Sequence, residues 1–222
     1  MLGKTHFITG SLVTTPIAIA CTHELAPVLA ISISGGIAAT LPDIDEPESR
    51  ISHSTIIGKL LSPIIARISG GHRKATHSWI AIILTTIGAY LMSRSEFAER
   101  IELAVLIGLA ISFMPNLKLA LLPFLFIFTV FFYYFPPQLA FILPIGIIVH
   151  ILGDVLTGHG VPIIWPAKYK LSIPLLGHRV GTLRESLVSL GSLAVITWCY
   201  VVFVRTNLHH WLYTPIKLPH FG

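Results

Sequence analysis

FILPIGIIVHILGDVLT, residues 141 to 157, is the stretch on which the reading of the chain turns. It is almost wholly apolar up to Val149, and then at helical pitch His150, Asp154 and Thr157 fall at i, i+4 and i+7, so an imidazole, a carboxylate and a hydroxyl line one face. A carboxylate on an otherwise apolar helix is costly unless it is paired or bound to a metal. The whole chain has only three aspartates, Asp43, Asp45 and Asp154, and two of them sit together in LPDIDEP, just past another apolar segment.

The surroundings of this stretch are apolar throughout. With 222 residues, 54% hydrophobic and 11% charged, and a mean hydropathy of +0.80, the chain has too few charges to cover a soluble globule of its size. It reads as an integral membrane protein. The net charge of +5 is not gathered into a dense basic run, so specific nucleic-acid binding is not expected and the basic residues read as topology signals. Cys21 and Cys199 form no CxxC and offer no disulfide framework; they read as small buried hydrophobes. The first residues could pass for a signal peptide, but Thr14, Thr15 and Pro16 break the apolar run and His6 stands near its start, so an uncleaved first helix is expected.

Apolar segments of about membrane-crossing length can be read at roughly 6 to 22, 25 to 42, 77 to 93, 101 to 115, 118 to 135, 138 to 157 and 186 to 205. The pair flanking Pro115, Asn116 and Lys118 is short enough to be a hairpin. The expectation is an all-α, polytopic membrane bundle of about 5–7 transmembrane helices, forming a single domain over residues 1 to 222. Seven spans place Lys4, the 43 to 76 stretch, Lys118 and the 158 to 185 stretch on one side. That side then holds 11 of the 15 Lys and Arg and by the positive-inside rule is cytoplasmic; Arg94, Arg100, Arg205 and Lys217 fall on the other. The same assignment gathers His6, Asp43, Asp45, His72, His77, Asp154 and Glu185 at one face.

His150 and Asp154, four apart on a helix, can bind one metal ion through imidazole nitrogen and carboxylate oxygen. In LPDIDEP, Pro42 ends the preceding helix, and an extended backbone would turn Asp43 and Asp45 to one side, where a divalent cation relieves their repulsion. Glu46 and Glu48 extend the acidic run and read as solvent-facing. HRKATHS, residues 72 to 78, precedes an apolar helix that Thr76 or Ser78 would cap. His72 and His77 are five apart, so if both are ligands the backbone between them must be irregular. Arg73 could hold an anionic oxygen bidentately or serve as a positive-inside anchor. His6 and Glu185 become ligand candidates because the topology brings them to the same side, although a first-turn glutamate also suits the helix dipole. His159 and His178 could complete a second metal, with His53 a weaker candidate; His23, His209, His210 and His220 read as interfacial.

Five motifs in order carry a resemblance: Thr5-His6, PDID at 42 to 45 with Ser49 following, HRKATHS at 72 to 78, HxxxDxxTxxG from His150 to Gly160 leading to Trp165-Pro166, and GTxxE at 181 to 185. Together they resemble the YdjM family, inner-membrane proteins described as metal-dependent hydrolases under the LexA repressor. Where that family often has a basic or histidine residue after PDID, this chain has Glu46. More remotely, the order His, Asp, His, HxxxD is similar to the zinc-dependent phospholipase C and single-strand nuclease superfamily, without its N-terminal Trp or later HxxxE.

The resemblance implies a membrane-bound hydrolase at the cytoplasmic face of the inner membrane. Its cofactor would be Zn²⁺, or alternatively Mn²⁺, as one or two ions bound by a subset of His6, Asp43, Asp45, His72, His77, His150, Asp154 and Glu185. Asp45 or Glu185 would act as general base, and Arg73 would steady negative charge. The expected partners are the lipid bilayer and a phospholipid or other amphipathic phosphodiester as substrate. Two rival readings are an ion- or proton-coupled transporter, which predicts ionisable groups near the bilayer midplane, and a structural protein with a stabilising metal.

Overall fold

A computed structural model describes residues 1–54, 56–112 and 140–213. Among these the chain is helical, as the apolar segments require: α1 is Gly3–Cys21, α2 Leu25–Ala38, α3 Arg50–Ser54, α4 Ile56–Ile68, α5 Trp79–Met92, α6 Glu96–Ser112, α7 Ile142–Val155 and α8 Leu183–Tyr213. Short 3-10 turns cover Leu41–Asp45 and Ala75–His77, and Val161 and Leu171 form an isolated antiparallel bridge. The expected segment from 118 to 135 lies outside the described residues, as do Pro115, Asn116, Lys118, Lys217 and His220.

Helix α1 packs on α2, α7 and α8, and α2 also packs on α6 and α7. The core between them holds Ala18, Val28, Ile31, Ile37, Leu106, Ile142 and Phe203. These contacts depend on small residues that let backbones approach. A Cβ on Gly146 of α7 would stand 2.4 Å from the Ala38 side chain and 2.7 Å from its backbone carbon. Polar groups supply the rest of the adhesion. Thr15 Oγ1 and Tyr200 Oη each donate to Ser32 Oγ, at 3.0 and 2.9 Å, joining α1, α2 and α8.

Two helical stretches are both long and apolar enough to cross a bilayer, Leu25–Asp45 and Leu183–Leu208. Helices α5 and α7 have 14 residues each, about 21 Å at ~1.5 Å per residue against a hydrocarbon core of ~30 Å. Among the described residues these are two candidate spans by length and composition, with shorter apolar helices in the same bundle. Large side chains point outward on α5 (Ile83, Leu84, Ile87, Leu91) and α8 (Leu187, Leu190, Leu193, Trp198), as suits helices with an apolar surrounding. Cys21 is exposed and Cys199 half-buried, so the reading of both as buried hydrophobes is corrected.

Helix direction positions the site. The N-terminal ends of α1, α5 and α8 and the C-terminal ends of α2 and α7 lie together, since His6, His77, Asp43 and Asp154, and near them Glu185, are joined by contacts described below. The 156 to 182 segment folds back over this end through Ile173 N to Val155 O at 2.7 Å and Leu176 N to Leu156 O at 3.0 Å.

Candidate metal centre

The polar stripe of α7 is the floor of the site. His150 and Asp154 are fully buried. Thr157, on the same stripe, donates its hydroxyl to the carbonyl of Asp154 at 2.8 Å and closes the end of its own helix. A Cβ on Gly153 would stand 3.2 Å from the His6 ring and 2.4 Å from Met1 Cε, so glycine is what lets α1 lie over α7. His6 then stacks on His150 with ring centroids 3.7 Å apart.

The LPDIDEP backbone is a 3-10 turn, not the expected extended strand. With Pro42 in its first turn and about 120° per residue, Asp43 and Asp45 leave the turn in different directions. They meet again across one imidazole: Asp43 Oδ1 is 3.6 Å from His77 Nε2, and Asp45 Oδ2 is 3.4 Å from His77 Nδ1. The irregular backbone required between His72 and His77 is present. Arg73 has φ +57°, a left-handed conformation that side chains rarely adopt, and the chain then turns through Ala75–His77. Ser78, not Thr76, caps α5 by accepting from Ile80 N at 3.3 Å.

Asp45 fixes that loop. It accepts from His72 Nδ1 at 2.7 Å, from the Arg73 backbone N–H at 3.1 Å and from the Thr76 hydroxyl. Three histidines are thereby oriented alike. His150 Nδ1 faces the carbonyl of Ala39 at 2.7 Å and must donate to it; His72 Nδ1 donates to Asp45; His77 Nδ1 lies 3.0 Å from Thr76 Oγ1. In the neutral ring each is left with Nε2 as its acceptor nitrogen, the arrangement in which an outer oxygen sets a metal-binding imidazole. His77 Nε2, His150 Nε2 and both nitrogens of His6 are buried without a hydrogen-bond partner, a state costly enough to require a ligand.

Three groups of donor atoms, each within 4.8 Å of one another, could hold an ion: His6, Asp43 and His150; Asp43, His72 and His77; and His77, His150 and Asp154. Asp154 is otherwise engaged. It faces the Met1 amino nitrogen at 2.5 Å and a side-on Arg73 guanidinium, with Nη2 to Oδ1 and Nε to Oδ2 both at 3.2 Å. Burial alone would lower the His77 pKa, but the neighbouring carboxylates of Asp43 and Asp45 outweigh it and raise it to about 9.

Six of the eight ligand candidates read from the sequence thus fall in these donor groups, with Asp45 behind His72 and His77. Glu185 does not: its oxygens accept from Leu2 N at 2.5 Å and Gly181 N at 2.7 Å, so it clamps the start of α1 to the start of α8. Asp45 and Glu185 both have their oxygens occupied by donors, and Arg73 lies against Asp154. His159 and His178 are exposed and are in none of the three donor groups; exposed His53 lies 3.8 Å from Glu48. Three contributors escaped the sequence reading. The Ala39 carbonyl and the Met1 amino group leave no side-chain signature, and Thr76, read as a cap, is the hydroxyl between Asp45 and His77.

Comparison with known proteins places this geometry in context. The family model described as YdjM inner membrane protein matches residues 1–114. The Escherichia coli K12 protein named inner membrane protein YdjM is 26% identical over 181 residues, covering 79% of this chain and 72% of that protein; its Shigella flexneri namesake gives the same values. A Bacillus subtilis protein, YvsG, is 26% identical over 205 residues, covering 91% of this chain and 97% of its own. No solved structure matches. The remote likeness to zinc-dependent phospholipases and nucleases is not among these findings.

Proposed function

The chain belongs to the YdjM family of inner membrane proteins, and from that premise we propose that it is a multi-pass inner-membrane hydrolase with a divalent metal centre facing the cytoplasm. The observation that carries the reading is the gathering of His6, His77 and His150, all buried, and of exposed His72 with Asp43 and Asp154, while Nδ1 of His72 and of His150 is held by oxygen. Four histidines with Asp43 and Asp154 suit Zn²⁺, with Mn²⁺ the alternative. When bound, the metal supplies Lewis-acid chemistry: a water of lowered pKa and a polarised phosphoryl or acyl oxygen.

The remaining work falls to the protein. Asp45 holds His72 and the loop behind it, and the Ala39 carbonyl holds His150. Asp154 takes one edge of the Arg73 guanidinium, that of Nε and Nη2, whose side chain is 15% exposed, and so leaves the Nη1 N–H groups for an anionic substrate oxygen. Burial of His6, His77 and His150 excludes bulk water from most of the donor set, with His72 34% exposed at its edge.

The substrate class follows from what flanks the site. Helix α4, which packs on the Leu41–Asp45 turn, buries Gly58 and Ser62 and exposes Leu60, Leu61, Ile64 and Ile68. At about 100° per residue these four occupy one arc, with Lys59 and Arg67 exposed beside it. A helix that turns its small residues inward and its large apolar ones outward suits a lipid–water interface. A phospholipid or other amphipathic phosphodiester would reach the metal centre from that surface.

The test is hydrolysis of phospholipid vesicles and of a soluble aryl phosphodiester by detergent-purified protein loaded with Zn²⁺ or Mn²⁺. Turnover of either substrate that stops on chelation and in His150→Ala is the expected result. Metal without turnover would favour a structural ion, and neither would overturn the proposal.

A further inference from the structure

We propose that the centre holds two metal ions bridged by the Asp43 carboxylate, one bound by His6 and His150 and the other by His72 and His77; this rests on the metal-centre reading above. The three donor groups cannot all be filled at once. An imidazole whose Nδ1 donates a hydrogen bond has a single lone pair, on Nε2, and serves one ion. The group His77, His150 and Asp154 therefore competes with the first group for His150 and with the second for His77. The first two groups share only Asp43, and a carboxylate has two oxygens with which to serve two ions. They are the compatible pair.

The surroundings favour that pair over a single ion at the third group. Filling both uses all four histidines, including His6, whose two buried nitrogens have no hydrogen-bond partner. A single ion at the third group would leave His6 and His72 without an ion and would add a cation against Asp154, whose Oδ1 already accepts from Arg73 Nη2 at 3.2 Å. Asp43 is the cluster's lightly held acid. Its Oδ1 lies between the two histidine pairs, 3.6 Å from His77 Nε2 and 3.7 Å from His150 Nε2, beyond hydrogen-bonding reach but close to the ~3.3 Å edge of a tetrahedron with ~2.0–2.1 Å metal–nitrogen bonds. Asp45 stands behind His72 and His77 as their hydrogen-bond partner, and Asp154 balances Arg73. Two divalent ions against Asp43 and Asp45 leave the centre net positive, which suits an anionic phosphodiester.

The experiment is metal stoichiometry on the full chain in detergent, by elemental analysis after loading with Zn²⁺ and desalting, with electron paramagnetic resonance of the Mn²⁺-loaded form. The expected result is two ions per chain, an exchange-coupled Mn²⁺ signal, one ion in His6→Ala and in His72→Ala, loss of the coupling in Asp43→Asn, and two ions retained in Asp154→Asn. One ion in the wild type, lost in Asp154→Asn and kept in His72→Ala, would overturn the bridged pair while leaving a metal centre. Two ions without coupling would overturn the bridge alone. No ion at all would remove this inference together with the function on which it rests.

Discussion

Asp154→Asn is the substitution for which the structure makes the most specific demand in the metal-free protein. The carboxylate is fully buried and faces the Met1 amino nitrogen at 2.5 Å; its Oδ1 accepts from Arg73 Nη2 at 3.2 Å, Arg73 Nε lies as close to Oδ2, and His6 Nε2 is 3.3 Å away. Asparagine keeps the volume, so no cavity opens, but the neutral amide leaves Arg73 facing buried positive charge. Removing one partner of a buried pair costs about 3–5 kcal/mol. Arg73→Met should cost less, about 1–3 kcal/mol, because Asp154 keeps its contacts to Met1 and His6. At roughly 2–4 °C per kcal/mol for a chain of this size, Asp154→Asn should lower Tm by about 10 °C and Arg73→Met by about half that or less. Tryptophan fluorescence of the chelated protein in detergent reads both. The double variant should lose less than the sum, since one partner of the pair is already gone in each single variant. An Asp154→Asn Tm within ~2 °C of wild type, or a larger loss from Arg73→Met than from Asp154→Asn, would refute the assignment of Asp154 as the charge that holds Arg73.

Three further outcomes are expected. Glu185→Gln should leave metal content unchanged and lower stability by about 1–2 kcal/mol, because its oxygens hold Leu2 N and Gly181 N and not an ion; loss of metal in this variant would place Glu185 among the ligands after all. Gly146→Val should lower Tm by an amount equivalent to at least ~2 kcal/mol, since its Cβ would meet Ala38 backbone at 2.7 Å; a Tm equal to wild type would mean α2 and α7 do not pack this closely. The raised pKa of His77 sets a pH dependence: its contribution to the stability of the metal-free protein is full below the unfolded value near 6.5 and is lost as pH rises through about 9. His77→Gln should flatten that decline in a pH series of Tm, and an unchanged slope would remove His77 as its cause.

How much of this could be read from residues alone depended on the kind of signal. His150 and Asp154 were legible because helical pitch puts i and i+4 on one face whatever the tertiary structure. The convergence of His6, Asp43 and His77 was legible because alternating helix direction sends the ends of α1, α2 and α5 to one side. The extent of each helix was not, since the segments read at 77 to 93 and 138 to 157 hold α-helix only over Trp79–Met92 and Ile142–Val155 among the described residues. The roles of individual acids were also hidden. Asp43 and Asp45 are two apart in sequence, yet the 3-10 turn sends one toward the imidazole Nε2 atoms and the other behind them. Glu185 shares the end of the bundle with the cluster but meets backbone amides first.

X-ray absorption at the zinc edge of the purified, zinc-loaded protein tests the metal centre most directly. The account predicts a nitrogen and oxygen shell at ~2.0–2.1 Å with the outer-shell scattering of imidazole rings, diminished in His150→Ala. A shell without imidazole scattering, or a sulfur shell at ~2.3 Å from Cys21 or Cys199, would contradict it.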